Sequence, residues 1–155
     1  MAPSTDPLGI LWADEGEEMD AKLKHLEFIQ ATIVRQSTNS FLVKGWSVVL
    51  VSALFALAAP GSQAVFVYLA YAPAIIFWGL DGYFLWQERL YRALYDHVRI
   101  KQPDDIDFSM DTSAFRDQSG CSWAEASLSR TLLAFHGVLV LTIFTVMMLA
   151  LRRGG

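Results

Sequence analysis

The sequence predicts an all-α fold: an integral membrane helical bundle with three transmembrane helices, two of them extended into cytoplasmic amphipathic helices. Three observations predict it. Apolar stretches occupy residues 41–59, 64–86 and 131–151, charged residues gather in blocks between them, and an amphipathic period adjoins the first two stretches. Each stretch has about the 20 residues that a helix needs to cross a hydrocarbon core roughly 30 Å thick. The composition, 54% hydrophobic with a mean hydropathy of +0.33, agrees with spans joined by water-facing segments.

Residues 1–14 hold Pro3, Pro7 and Gly9 without an apolar period, so a flexible tail is expected there. Over 15–40, Met19, Leu23, Leu26, Gln30 and Ile33 fall on one face of a helix outside the membrane. Glu18 with Lys22 and Asp20 with Lys24 stand at i, i+4 in the favourable order. This helix is expected to run directly into the first span, 41–59. Pro60, Gly61, Ser62 and Gln63 then predict a short turn, making the first two spans an antiparallel hairpin.

The second span, 64–86, contains Pro73, Gly79 and Gly82, and a kink is expected. The apolar period continues over 87–102 through Leu90, Tyr91, Leu94, Tyr95 and Val98, with Glu88 and Arg92 a further i, i+4 pair. Residues 103–122 carry five aspartates beside Pro103 and Gly120 and read as a solvated acidic loop. Ser122 and Glu125 form the capping box of a third helix, 123–151, which contains the third span, 131–151.

Basic residues set the orientation. Lys22, Lys24 and Arg35 precede the first span, Arg89, Arg92, Arg99 and Lys101 follow the second, Arg130 precedes the third, and the 60–63 turn has none. The N-terminus is therefore expected in the cytoplasm of a multi-pass protein of the bacterial inner membrane. Arg152 and Arg153 beyond the third span oppose this, and a third segment that re-enters without crossing would remove the contradiction.

The candidate site is an intramembrane polar layer of Lys44, Asp81 and His136, one ionisable residue in each span. Counting from the cytoplasmic ends puts each about 6 to 9 Å inside the boundary, where an unpaired charge is costly. Two readings fit. Lys44 and Asp81 pair across the hairpin with His136 as a third, titratable member; or Lys44 snorkels, Asp81 meets water and His136 bonds a backbone carbonyl. Ser40, Lys44, Ser47 and Val51 share one face, as do Thr142 and Thr145, spacing suited to close helix packing or to a polar lining. Trp46, Trp78 and Trp86 are candidate interface anchors.

Several functions find no footing. A net charge of −4 argues against nucleic acid as a partner. The lone Cys121 has no internal disulfide partner and reads as incidental. Asp105, Asp107, Ser109 and Asp111 alternate like calcium-loop ligands, yet Met110 stands where glycine is needed and Arg116 where glutamate is needed. No nucleophile with a base at motif spacing, phosphate-binding loop or metal-ligand cluster is present, so no enzyme activity, cofactor or metal is expected.

The segments His25-Leu26-Glu27-Phe28-Ile29-Gln30, Asn39-Ser40-Phe41 with Lys44-Gly45-Trp46, and Phe77-Trp78-Gly79-Leu80-Asp81 with Gln87-Glu88-Arg89 resemble an uncharacterised family of small bacterial multi-pass inner-membrane proteins, over roughly residues 20–100. The architecture is similar to that of membrane effectors of antiphage defence systems, which act as oligomers on the bilayer. That similarity implies a non-enzymatic homo-oligomer that perturbs the membrane or forms a pore, with the lipid bilayer and copies of itself as partners. A membrane-anchored scaffold binding a cytoplasmic protein is the alternative, and a small transporter the third.

Overall fold

The computed structural model describes the backbone of residues 7–58 and 65–154 and the side chains of 16–58, 65–150 and 152; the expected 60–63 turn lies outside these. All regular structure among the described residues is helical: α1 (Pro7–Leu57), α2 (Val65–Leu69), α3 (Tyr71–Ile100), α4 (Trp123–Ser127) and α5 (Arg130–Gly154), with 3-10 turns at Pro103–Asp105 and Ser113–Phe115. The segments Gly16–Leu57, Val65–Ile100 and Arg130–Ala150 are each long and apolar enough to cross a membrane.

α1 is one helix of 51 residues. At 1.5 Å per residue it is about 76 Å long, more than twice a hydrocarbon core. It begins at Pro7, so residues 7–14, expected as a tail, are helical. Proline suits a first helical turn, where its missing N–H has no acceptor to serve.

The face that α1 buries keeps Leu26 and Ile33 of the expected stripe and departs from it at Met19, Leu23 and Gln30. Met19 and Leu23 are exposed, whereas His25, Ile29, Ile33, Ser40, Ser47 and Val51 are buried. Steps near three and four keep this seam on one side of the helix. In the more polar half, Ile29 and Ile33 meet Leu90, Leu94 and Val98 of α3. The segment after α3 adds Ile106, Phe115 and Cys121 to the same core. It is thus a cover whose five aspartates stay exposed while three apolar side chains spaced through it are buried.

Two helix breaks have identifiable causes. Pro73 lacks an N–H and its ring crowds the carbonyl of Leu69, so the second apolar helix is interrupted there and resumes at Tyr71. The third helix, expected to be continuous from Trp123, breaks at Leu128 and Ser129. At that break the Trp78 indole N–H donates to the Ser127 carbonyl at 2.9 Å, an acceptor that a continuous helix would keep for its own ladder.

The short α4 is stitched to α3 and its flanks. Trp123 donates to the Gly79 carbonyl at 3.3 Å, Trp86 to the Cys121 carbonyl at 2.6 Å and Arg89 to the Gly120 carbonyl at 2.8 Å. The capping box forms, with Glu125 accepting from the Ser122 and Gly120 amides. Gly120 turns the chain into it with φ +87°, a conformation other residues rarely adopt. Of the expected ion pairs, Glu88 and Arg92 meet at 2.8 Å. Lys22 instead crosses to α3 and donates to the carbonyls of Arg99 and Lys101, at 3.1 and 2.6 Å, satisfying its C-terminal end.

In the cover, Asp107 accepts the Ser109 amide and Asp111 accepts the amide and hydroxyl of Ser113. The Ser113 donors hold the Asp111 carboxyl below the ordinary aspartate range. Its contribution to holding this turn is present above that range and disappears as pH falls through the lowered value. A carbon NMR titration of Asp111 should place its midpoint below that of an unstructured aspartate, and Ser113→Ala should move it back upward.

A second expectation concerns Gly82. A Cβ there would lie 2.1 Å from the Ser127 hydroxyl and 3.1 Å from the Ser127 backbone, whereas one at Gly79 meets nothing within 4 Å. Gly82→Ala should therefore cost about 1–3 kcal/mol in thermal unfolding followed by helical circular dichroism in detergent. Gly79→Ala should cost nothing measurable.

Candidate functional site: a buried carboxylate shared by three helices

Asp81 lies on α3 with no exposed surface, in the company of Ser40 and Lys44 from α1 and His136 from α5. Ser40 and Lys44 are one turn apart, which brings both to the same carboxylate. The Lys44 ammonium lies 2.7 Å from each Asp81 oxygen. The Ser40 hydroxyl donates to Oδ1 at 2.5 Å and accepts from Lys44 at 2.8 Å, using its single proton and a lone pair consistently. His136 Nε2 lies 3.0 Å from Oδ2.

The chemistry assigns the protons. An ionised carboxylate only accepts, so His136 must carry hydrogen on Nε2, leaving Nδ1 bare when the ring is neutral. Nδ1 is buried and has no partner. Lys44 and Asp81 cancel when both are charged, so the net charge of the cluster is that of the His136 ring. A second proton on His136 would give it a net positive charge and an N–H at Nδ1 with no acceptor. Trp78, three residues before Asp81, stacks on the imidazole at 5.8 Å with the planes 4° apart, and Phe135 meets it edge-on at 5.0 Å.

The structure thus brings together Lys44, Asp81 and His136, the three residues of the proposed layer. Ser40 and Trp78 belong to the site as well. Ser40 had a readable signal in its i, i+4 spacing to Lys44, and Trp78 in its i, i+3 spacing to Asp81. Ser47, one turn beyond Lys44, is fully buried with an unpartnered hydroxyl. The three tryptophans expected as anchors divide: Trp46 is exposed, whereas Trp78 and Trp86 spend their indole N–H groups on backbone carbonyls.

Among the described residues no group of three or more His, Cys, Asp or Glu side chains could hold a metal ion. Thr142 and Thr145 donate to the carbonyls four residues back on their own helix, so their hydroxyls are already served. Comparison with protein-family models, curated proteins and solved structures finds no match to the chain.

Removing one member of a buried ion pair strands the other, at a cost of about 3–5 kcal/mol. Asp81→Asn should lose roughly that much stability in detergent. Lys44→Met combined with Asp81→Asn should recover part of it, because the stranded ammonium is gone. The double-mutant cycle measures the coupling.

Proposed function

We propose that this protein is a non-enzymatic, homo-oligomeric protein of the bacterial inner membrane, N-terminus in the cytoplasm, that perturbs the bilayer when the Asp81 cluster opens. The observation that carries this reading is one fully buried carboxylate bonded to groups from two other helices, all three helices being long and apolar enough to span a membrane. Such a tie has two states rather than a continuum. Once Lys44 leaves Asp81, each is an ionisable group at bilayer depth, which costs about 2.5–3.5 kcal/mol on insertion scales unless water reaches it.

Opening therefore favours a hydrated arrangement. Three helices enclose no wide channel alone, so several copies must share it. Phe41, Leu42 and Trp46 on α1 and Val138, Leu141 and Phe144 on α5 are exposed apolar side chains available to lipid or to neighbouring copies. The basic residues flanking the spans support the orientation. A role in antiphage defence rests on the similarity of architecture alone.

A scaffold that recruits another protein is the second reading. Met19, Leu23 and Ile100, outside the apolar stretches, are exposed and favour it.

Ion flux from liposomes separates the two. Asp81→Asn strands Lys44 and should raise the leak at least tenfold over the wild type, whereas Lys44→Met with Asp81→Asn, which leaves neither charge, should be as tight as the wild type. Equal, low leak from all three proteins would overturn the effector reading. A stoichiometric foreign protein retained in mild detergent would support the scaffold.

A further inference from the structure

Away from the Asp81 cluster, a groove of about 750 Å³ opens between α1 and the cover that follows α3. Its α1 wall is a stripe in which Lys24, Phe28 and Arg35 stand on one helical face, with His25 beside them; Phe108 and Met110 form the facing wall. The volume falls within the range of about 300–1,000 Å³ typical of small-molecule sites. The lining is apolar apart from two cations, an imidazole and the Thr32 hydroxyl, and no carboxylate contributes to it. Thr32 is already committed to the Phe28 carbonyl at 3.0 Å.

Two independent features of this groove lack an explanation in packing. His25 is only 4% exposed, yet its Nε2 has no hydrogen-bond partner. A buried polar nitrogen left so is uncommon, because its lost hydration is not repaid. Phe108, whose ring meets His25 edge-on at 5.6 Å, has φ +53°. A bulky side chain in the left-handed region is strained, and strain of this kind gathers at ligand sites. Lys24 and Arg35 have no ion-pair partner within 4.0 Å among the described residues.

We propose that this groove binds an amphipathic anion. Its apolar body lies on Phe28, Phe108 and Met110, its phosphate or carboxylate is held by Lys24 or Arg35, and the buried His25 ring borders it. Charge decides the class: the trough itself is lined by two cations and no anion, and Arg35 stands away from the carboxylates Glu17, Asp20 and Glu27 that adjoin Lys24, which favours a ligand with a negative head over a neutral or cationic one. Two sources offer that chemistry. Arg35 stands six residues before the first apolar stretch, within reach of an anionic phospholipid head group. The Lys24 end lies about 16 Å further along α1, beside Glu17, Asp20 and Glu27 of the adjoining groove, so a soluble anion would be held from the Arg35 side.

The site is independent of the pore reading and is tested without ion flux. The full-length protein is placed in nanodiscs of phosphatidylcholine alone and titrated with 2-naphthyl phosphate, with 2-naphthol as the neutral counterpart. A parallel series of discs contains increasing phosphatidic acid. Histidine-labelled NMR should show a saturable shift of the His25 ring with one of the two anions, while His97 stays in place and 2-naphthol has at least tenfold weaker effect. Lys24→Gln with Arg35→Gln should weaken binding at least tenfold; Lys101→Gln, outside the groove, should not. A response to 2-naphthyl phosphate assigns a soluble ligand, and one to phosphatidic acid a lipid. No saturable His25 shift in either series, or equal binding by the Lys24→Gln, Arg35→Gln protein, would overturn the proposal.

Discussion

A carboxylate with no exposed surface cannot sit among apolar helices unless its oxygens are met by donors, and the arrangement of this bundle follows from how Asp81 meets that demand. Its donors come from two other helices: Ser40 and Lys44 from α1, His136 from α5. Hydrogen bonds have narrow geometry, so satisfying all of them fixes the rotation and register of α1 and α5 against α3 far more sharply than apolar packing could. The cost of burying the charge is offset only in that one arrangement. The cluster therefore specifies a structure as much as it stabilises one.

The rest of the fold keeps the acceptor in place. Trp78 clamps His136 from above while its N–H captures the Ser127 carbonyl, so one side chain both orients the imidazole and ends α4. The close approach of Ser127 to Gly82, next to Asp81, ties the backbone of α4 to the same turn of α3. Farther along, the core of Ile29, Ile33, Leu90, Leu94 and Val98 continues the α1 to α3 contact, and the cover closes over it. The groove between α1 and the cover is walled by the same unbroken helix that carries Ser40 and Lys44.

What could be read in advance divides by range. The all-helical class and the three apolar helices follow from length and periodicity, which are local properties. Depth counting puts Lys44, Asp81 and His136 at one level, and the structure gathers Lys44 and His136 on the Asp81 carboxylate, because helical rise converts residue number directly into distance. The break at Leu128 and Ser129 was illegible, since its cause is an indole 49 residues away. The packing of the cover is not legible in the sequence, because Ile106, Phe115 and Cys121 are sparse in a polar stretch and only the α1 and α3 surface gives them a core to join. The buried face of α1 was rotated from its expected position for a related reason: the polar residues His25, Ser40 and Ser47 mark the seam, while Met19 and Leu23 lie outside it.

The most direct measurement of the central claim is solid-state NMR on the protein in lipid bilayers, with nitrogen-labelled lysine and histidine and carbon-labelled aspartate. A shared carboxylate predicts a direct dipolar contact between the Lys44 nitrogen and the Asp81 carboxyl carbon, together with a His136 ring that carries a proton on Nε2. No contact between Lys44 and Asp81, or a His136 ring protonated on Nδ1 alone, would contradict it.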